Sequence, residues 1–385
     1  MADSKTVLIL GGGVGGIATA RALRKRLPKA HRVVLVDRES DHVFAPSLLW
    51  LMVGQRTADA ITRPLLRLAR KGIDVRIGNV EHIDPDRRIV TVDGQALSAD
   101  YVVITLGAEL APESVSGLTQ AGHNFYSRSG AEALWTAFQN LRSGRIVVLT
   151  AAPAYKCPAA PYEGAMLIDA WFRKHGRRDS VTVELYAAEA APMGVAGPHV
   201  SSAVKGLLAS KGIPYHPEHQ VTAVDPDRKR LKFANGVHVD FDVLAYVPPH
   251  RAPAVIRDGG LAGENGWMSV DRHTLQTQWP NVFAIGDVVS IPLALGKPLP
   301  KAGVFAHKEA AVVAENIARA VSGQAQTARF DGHGECFIEV GGGKAGLGGG
   351  HFYAEPIPTV TLRQPSWTWH LGKVWVEQSW LRTKL

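Results

Sequence analysis

The chain has 385 residues, 46% of them hydrophobic, enough to bury a large core divided over two or three domains. Its net charge of +8 comes with no helix-turn-helix, zinc or RNP-type signature, which argues against a nucleic-acid partner. Only two cysteines occur, which excludes a disulfide scaffold, and no apolar run reaches the roughly 18 residues of a membrane-spanning helix.

Val7-Leu-Ile-Leu10 is an uninterrupted apolar run, the pattern of a strand covered on both faces. Gly11, Gly13 and Gly16 follow with GxGxxG spacing, and Gly15 lies within the motif. That spacing gives a tight turn, close approach of backbone to a pyrophosphate, and close packing of the next helix. The helix is expected over 17–27, with its first amides aimed at the phosphates and Pro28 at its end. A second strand over 32–37 ends in Asp37, followed by Arg38, about 20 residues beyond the glycines, where a carboxylate accepts ribose hydroxyls. Arg21, Arg24, Lys25, Arg26, Lys29 and Arg32 form one basic cluster, and Arg63, Arg67, Arg70, Lys71 and Arg76 another. Either is a solvated face or a surface drawn to anionic lipid.

Asp100-Tyr-Val-Val-Ile-Thr-Leu-Gly107 reads as a further strand and turn, and 130–141 as a helix. Arg145-Ile-Val-Val-Leu-Thr150 then looks ready to begin a second dinucleotide loop. The residues after it are Ala-Ala-Pro-Ala-Tyr-Lys-Cys157-Pro-Ala-Ala-Pro-Tyr-Glu163, with a thiol and prolines but no glycine. A nicotinamide dinucleotide would find no amide cradle there. A strand over 181–186 and a helix near 200–211 come next; His216 and His219 have no thiol or carboxylate companions, so no metal site is expected. After a strand over 241–248, Asn281-Val-Phe-Ala-Ile-Gly286-Asp287-Val ends in an aspartate that alone could equally be a turn or cap residue. A helix over 305–321 precedes a different kind of segment, with a strand around Cys336, glycine clusters at 341–343 and 348–350, and Trp367, Trp369, Trp375 and Trp380 near the end. The expected division is 1–114, 115–244, 245–321 and 322–385, an α/β chain with two Rossmann-like units and a small C-terminal interface or membrane-contact segment.

Taken in order, the glycine loop, the 100–107 strand and the Gly286-Asp287 motif resemble the two-dinucleotide-domain flavoproteins. That resemblance implies FAD, with Gly107, Gly286 and Asp287 beside it and Asp287 on the ribityl chain. More specifically, the chain resembles sulfide:quinone oxidoreductases and the related flavocytochrome c sulfide dehydrogenases. Four segments carry this: Phe44-Ala-Pro-Ser-Leu-Leu-Trp-Leu-Met-Val-Gly54, the Cys157 loop, Leu299-Pro-Lys301-Ala-Gly-Val-Phe, and Glu335-Cys336-Phe-Ile-Glu-Val-Gly341. The resemblance implies oxidation of sulfide through a Cys157–Cys336 pair, Lys301 at the flavin, and electrons passed to a quinone. Glu163 is a candidate proton shuttle or, more simply, an acid favoured by a helix N-terminus. The chemistry would gain from lowered thiol pKa values, with Lys156 or Lys344 as the source of charge. Phe337, Phe352 and Tyr353 are expected near the quinone.

The chain departs from the resemblance where Asn124-Phe-Tyr-Ser-Arg-Ser-Gly130 stands in place of a third cysteine, so the FAD is expected to be noncovalent. The tryptophan-rich tail reads as a membrane contact, a dimer interface or a packed flap, and as a membrane contact it would be separable from the sulfide site. With only six residues before the first strand, no signal peptide is expected, and the reading is a peripheral protein on the cytoplasmic side. A soluble acceptor such as a cytochrome, an NADH:quinone reductase and a non-enzymatic flavin redox sensor remain as alternatives, and the oligomeric state is open.

Overall fold

The computed structural model describes residues 4–385. The first unit opens with β1 (Thr6–Leu10), α1 (Val14–Arg26), β2 (Arg32–Asp37), β3 (Asp74–Ile77) and β4 (Tyr101–Ile104). The second is built from β5 (His123–Asn124), α2 (Arg128–Asn140), β6 (Gly144–Thr150), α3 (Ala160–Lys174), β7 (Val181–Ala187), α4 (Pro198–Ser210), β8 (Tyr215–His216) and β9 (Val243–Val247). The chain then adds β10 (Val282–Ala284) and α5 (Gly303–Val321), and finishes with β11 (His333–Gly341), β12 (Lys344–His351), β13 (Thr359–Ser366), α6 (Trp367–Ser379) and a last irregular turn.

Both main sheets are parallel and five-stranded, ordered β10-β4-β1-β2-β3 and β5-β9-β6-β7-β8. Val7 to Leu10 and Ile146 to Leu149 have essentially no exposure, as strands covered on both faces require. Because β9 pairs with β6 in the middle of the second sheet, that sheet extends past residue 244 before the chain crosses back. Helix α1 packs along α5, which brings the beginnings of two helices to the same end of the first sheet. The third sheet, β11-β12-β13, is antiparallel, and β11 packs on α3 of the second unit. Glycines 346, 348 and 349 lie inside β12, so the second glycine cluster is strand. A side chain on Gly349 would run into Glu335 at 2.5 Å, so the closeness of β11 explains the missing Cβ.

Candidate active site

The strand ends of the first sheet, the Cys157 loop, β11 and α6 enclose one cavity of 1620 Å³. The glycine loop forms its floor. A Cβ on Gly16 would lie 1.8 Å from the Gly11 carbonyl oxygen, and Gly11 itself takes φ +106°, so the turn closes only with glycine at both places. Gly13, in contrast, faces open space on the cavity. Gly15, Asp37, Arg38 and Gly107 also border it, whereas Gly16 lies beneath the loop as a packing residue. Asp37 accepts the Gly12 N–H, and its other oxygen takes the Glu39 N–H at 2.8 Å.

Gly286 and Asp287 stand at the end of β10. The Gly286 N–H donates to Glu309 Oε2 at 2.7 Å, and burial lifts the Glu309 carboxyl to about 7. Asp287 lines the cavity, and its Oδ1 is buried with no partner from the protein. Burial raises its pKa against the pull of Lys156 and Lys301. An unpartnered buried oxygen wants a hydroxyl or amide from a ligand. The open Gly13 cradle, Asp37, the Asp287 oxygen and the first turn of α5 therefore fit a flavin dinucleotide laid from the glycine loop toward the thiols. Lys301 reaches the cavity but turns its ammonium back, donating to the Asp287 and Val289 carbonyls at 2.8 and 2.9 Å over the Trp267 ring. Burial brings it down to about 8.

Cys157 and Cys336 come from different units and open on the same cavity as free thiols, each within electrostatic reach of Glu163 and Lys373. Their accessible surface is cavity wall, so both lie deep in the protein. Cys157 adopts a left-handed backbone, φ +52°, at a cost of about 1 kcal/mol for a residue with a Cβ. Three hydrogen bonds hold it: its N–H donates to Lys301 O at 2.6 Å, while its carbonyl accepts from Ala160 N at 3.0 Å and the Tyr126 hydroxyl at 3.1 Å. Cys336 sits on β11 opposite Gly348.

The expectation of lowered thiol pKa values is corrected. Burial first, then Glu163, pushes the Cys157 thiol far up and Cys336 to about 11. Of the two cations expected, only Lys156 couples to a thiol, Cys157. Lys344 is exposed at the start of β12 and does not line the cavity. Lys156 borders the cavity beside Asp287, but Lys373 of α6 is the lysine that pulls both thiols down. Its ammonium donates to Glu163 Oε2 at 2.7 Å, with both side chains buried. Burial works against its charge, but Glu163 and Glu339 outweigh it and hold Lys373 above its usual range. Glu163, in the first turn of α3, also accepts the Glu339 N–H at 2.9 Å. Glu339 in turn bonds His370 Nδ1 at 3.0 Å, and His370 is partly exposed. Glu163, Lys373, Glu339 and His370 thus form a charged set that runs from within electrostatic reach of the thiols to a partly exposed imidazole.

Lys373, Glu339 and His370 were not legible as site residues; a polar 370, 373, 377 spacing on one side of a tryptophan-rich helix is the signal that could have found them. Of the three readings of the tail, its inner face answers to the packed flap. Trp380 is buried and donates Nε1–H to His42 Nε2 at 3.0 Å, Glu377 is held by Ser47 and Arg56, and Trp369, Trp375 and Val376 line the cavity. Trp367 and Trp375 are 64% and 69% exposed, so the outward face alone is free to meet another surface. Phe337 and Phe352 border the cavity, but Tyr353 does not, its hydroxyl being spent on Arg272 O at 2.7 Å.

The family model for pyridine nucleotide-disulphide oxidoreductases matches residues 5–318. The mitochondrial sulfide:quinone oxidoreductase of Mus musculus is 27% identical over 93% of this chain and 80% of its own length. The sulfide-quinone reductase of Aquifex aeolicus is 29% identical over 82% of this chain and 76% of its own. The crystal structure of the sulfide:quinone oxidoreductase from that bacterium superposes with a TM-score of 0.89 at 26% identity, covering 99% of this chain and 91% of the other. The chain belongs to the pyridine nucleotide-disulphide oxidoreductase family and is a flavoprotein oxidoreductase homologous to the sulfide:quinone oxidoreductases.

Proposed function

We propose that the protein oxidises sulfide through a Cys157–Cys336 disulfide, with a noncovalently held FAD, and delivers the electrons to a quinone. The observation that supports this most is the opening of both thiols and the glycine loop on one cavity. Bound FAD supplies a two-electron acceptor that can be reoxidised by quinone. In the oxidised pair, hydrosulfide attacks one sulfur, the S–S bond breaks, one cysteine carries a persulfide and the other leaves as thiolate. The raised pKa values of the reduced thiols make either cysteine a poorer leaving group in that attack, so a buried cation beside them matters. Lys373 steadies the leaving thiolate by charge. Joining persulfide and thiolate through the added sulfur atom releases two electrons, which FAD held by the glycine loop and Asp287 would accept, and Glu163 receives the persulfide proton and passes it through Lys373 and Glu339 to His370.

Quinone is favoured over a soluble acceptor because the cavity runs to Phe337, Trp369 and Val376, beside the outward Trp367, Leu371 and Trp375 of α6. None of the described helices is long and apolar enough to cross a membrane, so contact with a bilayer is proposed through this outward face. Sulfide-driven turnover with decylubiquinone against cytochrome c as sole acceptor tests the reading. Turnover with decylubiquinone supports it; turnover with cytochrome c alone transfers the function to a sulfide dehydrogenase.

A further inference from the structure

In a Rossmann unit the acid at the end of the second strand holds a ribose. Asp37 stands there in the first unit, bordering the cavity. In the second unit the corresponding carboxylate is Glu189, two residues past β7, and it is fully engaged by the protein itself. The Tyr155 and Tyr162 hydroxyls donate to Glu189 Oε1, each at 2.6 Å, and the Thr150 hydroxyl donates to Oε2 at 2.7 Å. Thr150 opens the Cys157 loop, Tyr155 lies within it, and Tyr162 belongs to the helix that comes after. Both tyrosines are buried, and burial together with Glu189 keeps their hydroxyls protonated as donors. Between these attachments the loop carries two non-glycine residues in left-handed backbone, Ala154 at φ +65° and Cys157 at +52°. Such conformations persist only where the surroundings over-determine them.

We infer that Glu189 is a positioning residue, a clamp that ties both ends and the middle of the 150–162 segment and so holds the Cys157 sulfur at the cavity. It uses for this the carboxylate that a second dinucleotide site would give to a ribose. An ionised carboxylate is suited to the task because it only accepts, and three hydroxyls can converge on it in charge-assisted bonds. The clamp gives the proposed thiol chemistry its geometry, and it therefore rests on that reading for its consequence but not for its existence.

The test is amide hydrogen exchange on the flavin-loaded protein. In Glu189→Gln, which keeps the size of the side chain but replaces one acceptor oxygen by a donor, peptides covering 151–159 should exchange roughly tenfold or more faster, while those covering β1 and β4 stay unchanged. Tyr155→Phe, which removes one hydroxyl and keeps the ring, should show a smaller rise in the same peptides. In Glu189→Gln the sulfide turnover number per bound flavin should fall with the KM for decylubiquinone unchanged; counting turnover per bound flavin removes any contribution from unfolded enzyme. Exchange in 151–159 within about twofold of wild type in both variants overturns the clamp. If Glu189→Gln does not fold, Tyr155→Phe alone decides. A wild-type protein whose two cysteines never link would sink the dithiol reading, and the exchange result would still decide the clamp.

Discussion

The two parallel sheets share the order of four neighbouring strands and differ in the edge strand that completes them, and each places a βα turn and a strand-end acid at the same relative positions. They differ in what the turn carries. In the first unit the turn is glycine, the strand-end acid borders a cavity, and backbone amides are left for a ligand. In the second the turn carries Cys157, and the acid is consumed by three hydroxyls of the chain itself. The lesson is that the scaffold sets where chemistry occurs, while a few residues at one turn decide between binding a nucleotide and presenting a sulfur.

The strongest way to break this comparison is to remove the sulfur. Cys157→Ser and Cys336→Ser should each retain flavin, since the glycine loop and Asp287 are untouched, and each should lose roughly three or more orders of magnitude in sulfide turnover. The double variant should be little worse than either single, because the residues act as one unit; additive losses would separate them. Next in size is the buried acid. Glu163→Gln removes the proton acceptor and leaves Lys373 facing Glu339, and turnover should fall about a hundredfold with a shifted pH profile. Unaltered turnover at all pH values would return Glu163 to the role of a helix N-terminal acid.

A smaller effect concerns the bond between tail and glycine loop. His42 shares one nitrogen with the Gly12 carbonyl and accepts Trp380 with the other, so it must be neutral, and burial lowers it to about 4. A depressed histidine contributes stability that is complete above its unfolded value of 6.5 and is lost as pH falls toward 4, about 3 kcal/mol in all. Denaturant melts of His42→Gln should lack that part of the acid-side loss; identical pH slopes in variant and wild type would refute the assignment. The smallest expected effect is none at all: anaerobic excess NADH should leave the oxidised flavin spectrum unchanged, because the second turn has no amide cradle. Rapid bleaching would restore a nucleotide site to the second unit.

What the sequence made legible was local. The GxGxxG turn, the Gly286-Asp287 end and the two cysteine segments declare themselves because each packs its chemistry into a few consecutive residues. What stayed hidden is joined only by packing. Lys373 meets Glu163 from a distant part of the chain, Glu189 collects hydroxyls from another strand and its following helix, and Trp380 finds His42 across the molecule. The tail stayed open between readings for a related reason. Tryptophan-rich composition cannot distinguish an outward ring such as Trp367 from a buried one such as Trp380, because the choice depends on a histidine far away in sequence. Removing 366–385 should therefore disable the sulfide site as well as any surface contact, contrary to the separable anchor that the sequence led us to expect.

The central claim is that Cys157 and Cys336 form one redox unit over the flavin. Peptide mass spectrometry of the oxidised holoenzyme, alkylated before digestion, tests it most directly. The account predicts that the peptides containing Cys157 and Cys336 are recovered joined, either directly or through whole added sulfur atoms, and separate only after reduction. Recovery of both peptides apart and fully alkylated from the oxidised, sulfide-competent enzyme would contradict it.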